Sequence, residues 1–260
     1  MRLFLLLYLG MLGMFWGKEN PARAQLKITI LYDNQEYRRE LTPDWGFACL
    51  IEGPSRPILF DTGARADLLL RNCLQMGVDP AQIGTVVISH AHADHTGGLD
   101  GLLKANPTVT CYYPPTLSGN IISAARQRGA TLIECSDSRI LAEGVRTTGV
   151  IGSHIPEQGL VVTTEDVNVL VVGCSHPGVL EMVQQAQRLT GRPVDLVIGG
   201  MHLMRTSEKD IKSLIGELQA AGVRMVAPTH CSGERALRLF RAQYGDYCFQ
   251  MGAGKELYLP

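Results

Sequence analysis

Ser89-His90-Ala91-His92-Ala93-Asp94-His95-Thr96-Gly97-Gly98 carries three imidazoles and one carboxylate within six residues. Imidazole nitrogens and carboxylate oxygens at this density suit a metal site, and an N/O donor set favours Zn, with Fe or Mn as alternatives. The cluster closes a short β-branched run, Thr85-Val86-Val87-Ile88, which reads as a buried strand. At a strand end, side chains two residues apart point the same way, so His90 and His92 share a face. Thr96-Gly97-Gly98 then supplies the backbone freedom for a turn that brings Asp94 and His95 to a second, adjacent position.

The elements that position this cluster alternate along the chain. Strands are predicted at 27–32, 46–51, 57–60, 85–89, 108–113, 160–163, 167–172, 194–198 and 223–227, and helices at 65–76, 99–104, 179–189, 207–221 and 234–241. The first helix follows Asp61-Thr62-Gly63 and is stopped by Gly77. Three more histidines close later apolar runs: His176 after Val167–Val172, His202 after Val194–Ile198 and His230 after Val223–Ala227. Taken alone, a histidine at such a strand end is usually a capping or hydrogen-bonding group.

His-x-His-x-Asp-His closing a strand resembles the signature of the metallo-β-lactamase superfamily. Ile58-Leu59-Phe60-Asp61-Thr62-Gly63, Val171-Val172-Gly173-Cys174-Ser175-His176-Pro177-Gly178, Gly199-Gly200-Met201-His202-Leu203 and Ala227-Pro228-Thr229-His230-Cys231-Ser232-Gly233 follow in the order that superfamily requires. Gly-Cys-Ser-His, Gly-Gly-x-His-Leu and Pro-x-His-Cys-x-Gly are most similar to the branch labelled 7,8-dihydropterin-6-yl-methyl-4-(β-D-ribofuranosyl)aminobenzene 5′-phosphate synthase-like. The resemblance implies an α/β fold, a four-layer αββα sandwich. It also implies two divalent metal ions, one held by His90, His92 and His176, the other by Asp94, His95 and His230. The superfamily often bridges the two ions with an aspartate near the fourth motif, where this chain has His202. An imidazole cannot bridge two ions as a carboxylate does. His202 therefore binds one metal terminally or faces the substrate as an acid/base group, or water alone bridges the ions. Asp61 reads as the orienter of a ligand histidine, His154 as an exposed loop residue or a contact to substrate or to a ligand, and Cys174 as a small hydrophobe beside the ligands, with a thiolate ligand as the alternative.

Two adjacent dications imply a metal-activated hydroxide, with the second ion polarising a carbonyl or phosphoryl oxygen. Asp94 is then the catalytic group that orients the hydroxide or accepts its proton. The expected activity is hydrolysis of an ester, phosphoester, thioester or lactam in a small-molecule substrate. The branch label offers a transferase instead, although the chain has no G-x-x-x-x-G-K phosphate loop. A non-catalytic metal-holding sensor or binding module is the third reading.

The chain has 260 residues, 45% of them hydrophobic, enough for one sizeable core at 25–260, and no linker divides it. A net charge of −1 argues against a nucleic-acid partner. Oligomeric state is not legible. Arg2, the apolar run Leu3–Trp16 and Ala22-Arg23-Ala24 describe a signal peptide over 1–24, which places the mature chain in the periplasm or outside without membrane insertion. An uncleaved membrane anchor is the alternative, but the run is short of the ~20 residues a spanning helix needs. The seven cysteines have no paired spacing, and an odd count leaves at least one free thiol.

Overall fold

The computed structural model describes residues 26–53 and 56–259. The proposed signal segment lies outside them. Among the described residues, no helix is long and apolar enough to cross a membrane.

Two β-sheets face each other. The first contains β1 (Leu26–Tyr32), β2 (Ala48–Glu52), β3 (Ile58–Phe60), β4 (Thr85–Val87), β5 (Thr110–Tyr113) and β6 (Thr131–Glu134) in sequence order. At its outer edge, β13 (Glu256–Leu259) pairs antiparallel with β1, Leu26 opposite Leu259. The second sheet runs β12 (Met225–Thr229), β11 (Leu196–Gly200), β10 (Asn168–Val172), β9 (Leu160–Thr163), β8 (Val145–Thr147), β7 (Ile140–Ala142). Its β10–β11–β12 portion is parallel, so the C-terminal ends of three consecutive strands open on one rim.

Side-chain alternation builds the layers. In β10, Val169 and Val171 point between the sheets with Ile28, Ile30, Phe60 and Ile198, whereas Leu170 and Val172 point outward. The outward set is covered by α5 (Val179–Thr190), α6 (Glu208–Ala220) and α7 (Glu234–Tyr244). The outer face of the first sheet is covered by α1 (Ala66–Gln75), α3 (Leu99–Ala105) and α4 (Gly119–Gln127). Helix α5 buries Val179, Met182, Val183 and Ala186, an i, i+3, i+4, i+7 stripe, and is closed by Gly191 in the left-handed region at φ 67°. In α6 the Ser207 hydroxyl accepts from the Asp210 amide, a side-chain N-cap. These layers form an αββα sandwich.

The metal-motif loop departs from expectation in one respect. Ala93–Thr96 forms a short helix, α2, and Gly97 and Gly98 continue it with ordinary right-handed backbone, φ −65° and −80°. Their glycine character answers to close approach instead of a turn. A Cβ on Gly97 would collide with the Ala64 carbonyl, and one on Gly98 with that of Thr62. The approach lets the Thr62 amide and hydroxyl both donate to the His95 carbonyl at 2.8 Å, docking α2 on the loop after β3.

Candidate metal centre

The ends of β3, β4, β10, β11 and β12 meet on one rim and bring six histidines together. Ring centroids lie 4.6 Å apart for His90–His92, 4.2 Å for His90–His95, 4.8 Å for His90–His176, 4.9 Å for His92–His176 and 5.1 Å for His95–His230. Asp94 Oδ2 lies 3.3 Å from His230 Nε2 and 3.7 Å from His95 Nε2. The sequence-derived sets His90/His92/His176 and Asp94/His95/His230 are therefore each gathered in space.

Asp61 is fully buried and its carboxylate orders much of this rim. Oδ1 accepts from the Ser89 amide at 2.7 Å, and Oδ2 accepts from the Ser89 hydroxyl and from His95 Nδ1, each at 2.7 Å. Because Ser89 Oγ gives its single proton to Asp61, its 2.9 Å contact with His90 Nδ1 makes that nitrogen the donor. One carboxylate thus fixes the tautomer of a histidine in each set and turns both Nε2 atoms to the centre, where that of His90 meets His92 Nδ1 at 3.1 Å and that of His95 meets Cys174 Sγ at 3.3 Å. Asn34 does the same for His230, with Oδ1 3.0 Å from Nδ1 and Nδ2 donating to the His230 carbonyl at 3.3 Å.

The loop after β10 is held by Glu157, which the sequence did not single out. Its buried carboxylate accepts from the amides of Gly173, Cys174 and Ser175 through Oε1, at 2.8–3.1 Å, and of His176 through Oε2 at 2.9 Å. Gln158 joins the sheets by donating its amide to the Ser89 carbonyl at 2.9 Å and its side chain to the Ile88 carbonyl at 2.8 Å. Among the described residues, the non-glycine residues at positive φ are Asp61, Ser175, His202 and His230, at 49–61°. Every one lies in these loops, and backbone held this way gathers at functional sites.

Charge follows geometry. Burial, reinforced by the imidazoles of His95, His176 and His92, holds His90 far below its usual range. Burial lowers His176 to about 4, with His202 and His92 adding to it. Burial would lower His95 too, but Asp61, with Asp94 and Glu157 nearby, outweighs it and raises that ring. Burial opposes ionisation of Asp94, yet the hydrogen bond from His230 and the charge of His95 pull it well below the carboxylate range. The Cys174 thiol is pushed up by its hydrogen bond with the Cys231 sulfur and by burial.

The donor set fits a metal on a direct observation. His176 Nε2 is buried with no hydrogen-bond partner, a costly state for a polar atom unless a ligand completes it, and His230 Nε2 faces the Asp94 carboxylate at 3.3 Å. Two groups of donor atoms lie within 4.8 Å of one another, His90/Cys174/His176 and His95/Cys174/His230.

Three further sequence-derived residues lie around or beyond these sets. His202 belongs to neither group. It is exposed, its ring 4.4 Å from that of His176, and its donor atom is grouped with the sulfurs of Cys174 and Cys231. Its left-handed backbone, φ 51°, turns the chain as it leaves β11. His154 is exposed on the loop before Glu157, and no contact joins it to the cluster among the described residues. Cys174, read as a neighbour, has its sulfur 3.3 Å from His95 Nε2 and common to both groups. None of the seven cysteines is in a disulfide. Trp45, half-exposed, stands against His230 with centroids 4.8 Å apart.

This chain belongs to the metallo-beta-lactamase superfamily, whose family model matches residues 41–181. Among curated relatives it is similar to the 7,8-dihydropterin-6-methyl-4-(beta-D-ribofuranosyl)-aminobenzene-5′-phosphate synthase of Methanocaldococcus jannaschii, 28% identical over 87% of this chain and 94% of that protein. In structure it is similar to a metal-dependent hydrolase of the beta-lactamase superfamily, with TM-score 0.72 and 24% identity, covering 89% of this chain and 98% of that one. It is also similar to the short form of human tRNase Z, with TM-score 0.63 and 16% identity, covering 90% and 99% of the two chains. These solved structures share the fold.

Proposed function

We propose that this protein is a dinuclear metal-dependent hydrolase of a small-molecule ester, phosphoester, thioester or lactam. The observation that supports this best is the buried, partnerless imidazole nitrogen His176 Nε2, in the first of two converging donor sets. His90, His92 and His176 would hold one ion and Asp94, His95 and His230 the other. Two divalent ions, Zn favoured and Fe or Mn the alternatives, supply an activated water and polarise the substrate oxygen. Asp94, ionised and partly open to solvent, orients that water and takes up its proton. Asp61, Ser89 and Asn34 keep the imidazoles in the ligating tautomer, so the site is arranged before substrate arrives.

A transferase of the synthase kind is the second reading. It is supported by a relative so named that matches along most of both chains. Metal analysis joined to a substrate screen separates the two. The hydrolase reading expects about two ions per chain, as the paired sites imply, and turnover of at least one phosphodiester, lactone, thioester or β-lactam dependent on those ions. Two bound ions without hydrolysis, together with condensation of a pterin pyrophosphate with an aryl ribofuranosyl phosphate, would select the transferase. A chain that binds no ion after reconstitution would defeat both.

A further inference from the structure

Cys174 has a position no other donor shares. Its sulfur is within 4.8 Å of ring nitrogens of His90 and His176, and equally within 4.8 Å of those of His95 and His230. The two donor sets therefore meet at one atom. The chain carries no aspartate in the Gly199–Leu203 segment, and His202, exposed with its ring 4.4 Å from that of His176, belongs to neither histidine set. Among the described residues grouped as donors, Cys174 alone joins them.

We propose that the Cys174 thiolate is a ligand shared by both metal ions. The inference rests on the dinuclear reading above. A thiolate sulfur carries a full negative charge and several lone pairs, so it can bind two cations where an imidazole cannot. Coordination removes the thiol proton, which passes to solvent as the ions enter. The charge this leaves on sulfur offsets repulsion between the ions.

The surroundings suit a fixed sulfur. The Cys174 amide is tied to Glu157 at 2.8 Å, and Cys231 Sγ points to the Cys174 carbonyl at 3.7 Å. Gly200 leaves the space for this contact, since a Cβ there would stand 2.7 Å from the Cys231 sulfur. Cys231 itself lies in neither histidine group. It supports Cys174 without coordinating.

X-ray absorption at the zinc edge of the Zn-loaded wild-type protein tests this without a variant. A shared thiolate gives one sulfur per zinc at about 2.3 Å. The same protein loaded with Co2+ should show a sulfur-to-cobalt charge-transfer band in the near ultraviolet. That band should persist in Cys231→Ser and vanish in Cys174→Ser. Should Cys174→Ser fail to fold, the wild-type and Cys231→Ser spectra still decide. Two bound ions with only nitrogen and oxygen neighbours would overturn the proposal and leave the dinuclear reading standing. An average of half a sulfur per zinc would make Cys174 a terminal ligand and overturn the sharing. A band lost in Cys231→Ser but kept in Cys174→Ser would overturn the assignment to Cys174. Failure to bind any ion would defeat the dinuclear reading itself.

Discussion

Asp61→Asn isolates what a single buried carboxylate does for the metal centre. Asparagine tolerates the left-handed backbone at this position, φ 58°, so the substitution adds little backbone strain. Its Oδ1 can still accept from the Ser89 amide. Its Nδ2 cannot accept from His95 Nδ1, which now meets Asp61 Oδ2 at 2.7 Å. Two donors would face each other there, so His95 must move its proton to Nε2, the nitrogen that would bind metal. A hydrogen bond to a charged group contributes about 1.5–3 kcal/mol. Every 1.4 kcal/mol is about tenfold in affinity, so the ion held by Asp94, His95 and His230 should bind about 10–100-fold more weakly, the range found when such orienting partners are removed; the other ion should weaken too, because Ser89 Oγ no longer gives its proton to Asp61 and can turn it to His90 Nδ1. Ser89→Ala should act on the other ion, because it removes the partner of His90 Nδ1 and leaves the Asp61–His95 contact in place. Competition against a graded series of chelators resolves the two affinities, and Trp45, against the His230 ring, provides an optical signal for the second ion. Denaturant unfolding of the metal-free variants separates a binding effect from a folding one. Wild-type affinity for both ions in folded Asp61→Asn would refute the tautomer argument, and so would an identical pattern of loss in both variants.

Asn34→Ala removes the partner of His230 Nδ1 and should weaken the Asp94/His95/His230 ion by about tenfold; chelator competition showing unchanged affinity would count against it. His202→Ala should keep about two ions per chain, since His202 lies outside both histidine groups; loss of one ion by elemental analysis would restore it as a ligand. Burial lifts Asp33 to about 6, against the bonds from Thr229 and the Gln35 amide that favour its ionised form. The unfolded chain titrates it near 3.9, so between about pH 4 and 6 the unfolded state loses the proton first and stability falls as pH rises, by about 3 kcal/mol across the window. In the metal-free protein, Asp33→Asn should therefore gain on the wild type as pH rises from 4 to 7, read by urea unfolding; a pH-independent difference would contradict this.

Much of the site was legible because its residues sit where strands end. His90, His92, Asp94 and His95 follow β4, His176 follows β10, and His230 follows β12. Those strands declare themselves by β-branched runs such as Val169–Val172. Helices α1, α5 and α6 were legible within a few residues, α1 from the Asp61-Thr62-Gly63 turn before it and Gly77 at its end. Helix α4 and strands β6, β7 and β8 were not predicted, because they are short and partly exposed, and the pattern of burial that marks a strand is weak in them. Glu157 could not be found from sequence. Its meaning lies in four backbone amides up to 19 positions away, and backbone amides leave no trace in side-chain chemistry. Asn34 is 196 residues from the histidine it orients, and only the packing of one sheet on the other joins them. The shared-ligand role proposed for Cys174 was not legible for a related reason. A buried cysteine is more often a small hydrophobe than a ligand, and what distinguishes this one is a position between two groups drawn from both sheets.

That division between the sheets bears on how the centre is held. The first sheet supplies His90, His92, Asp94 and His95; the second supplies Cys174, His176 and His230. Each proposed ion is therefore completed only when the sheets are packed. Polar ties across the gap hold the two halves in register: Gln158 on the Ser89 and Ile88 carbonyls, Asn34 on His230, and Thr229 on Asp33 at 2.6 Å. The ties act close to the ligands, where backbone strain is concentrated at Asp61, Ser175 and His230. An ion bound to this arrangement cannot bind equally well to a chain whose sheets have separated, so its binding free energy adds to the stability of the packed state. The interface that forms the core thus also assembles the candidate metal site, and anything that loosens one must weaken the other.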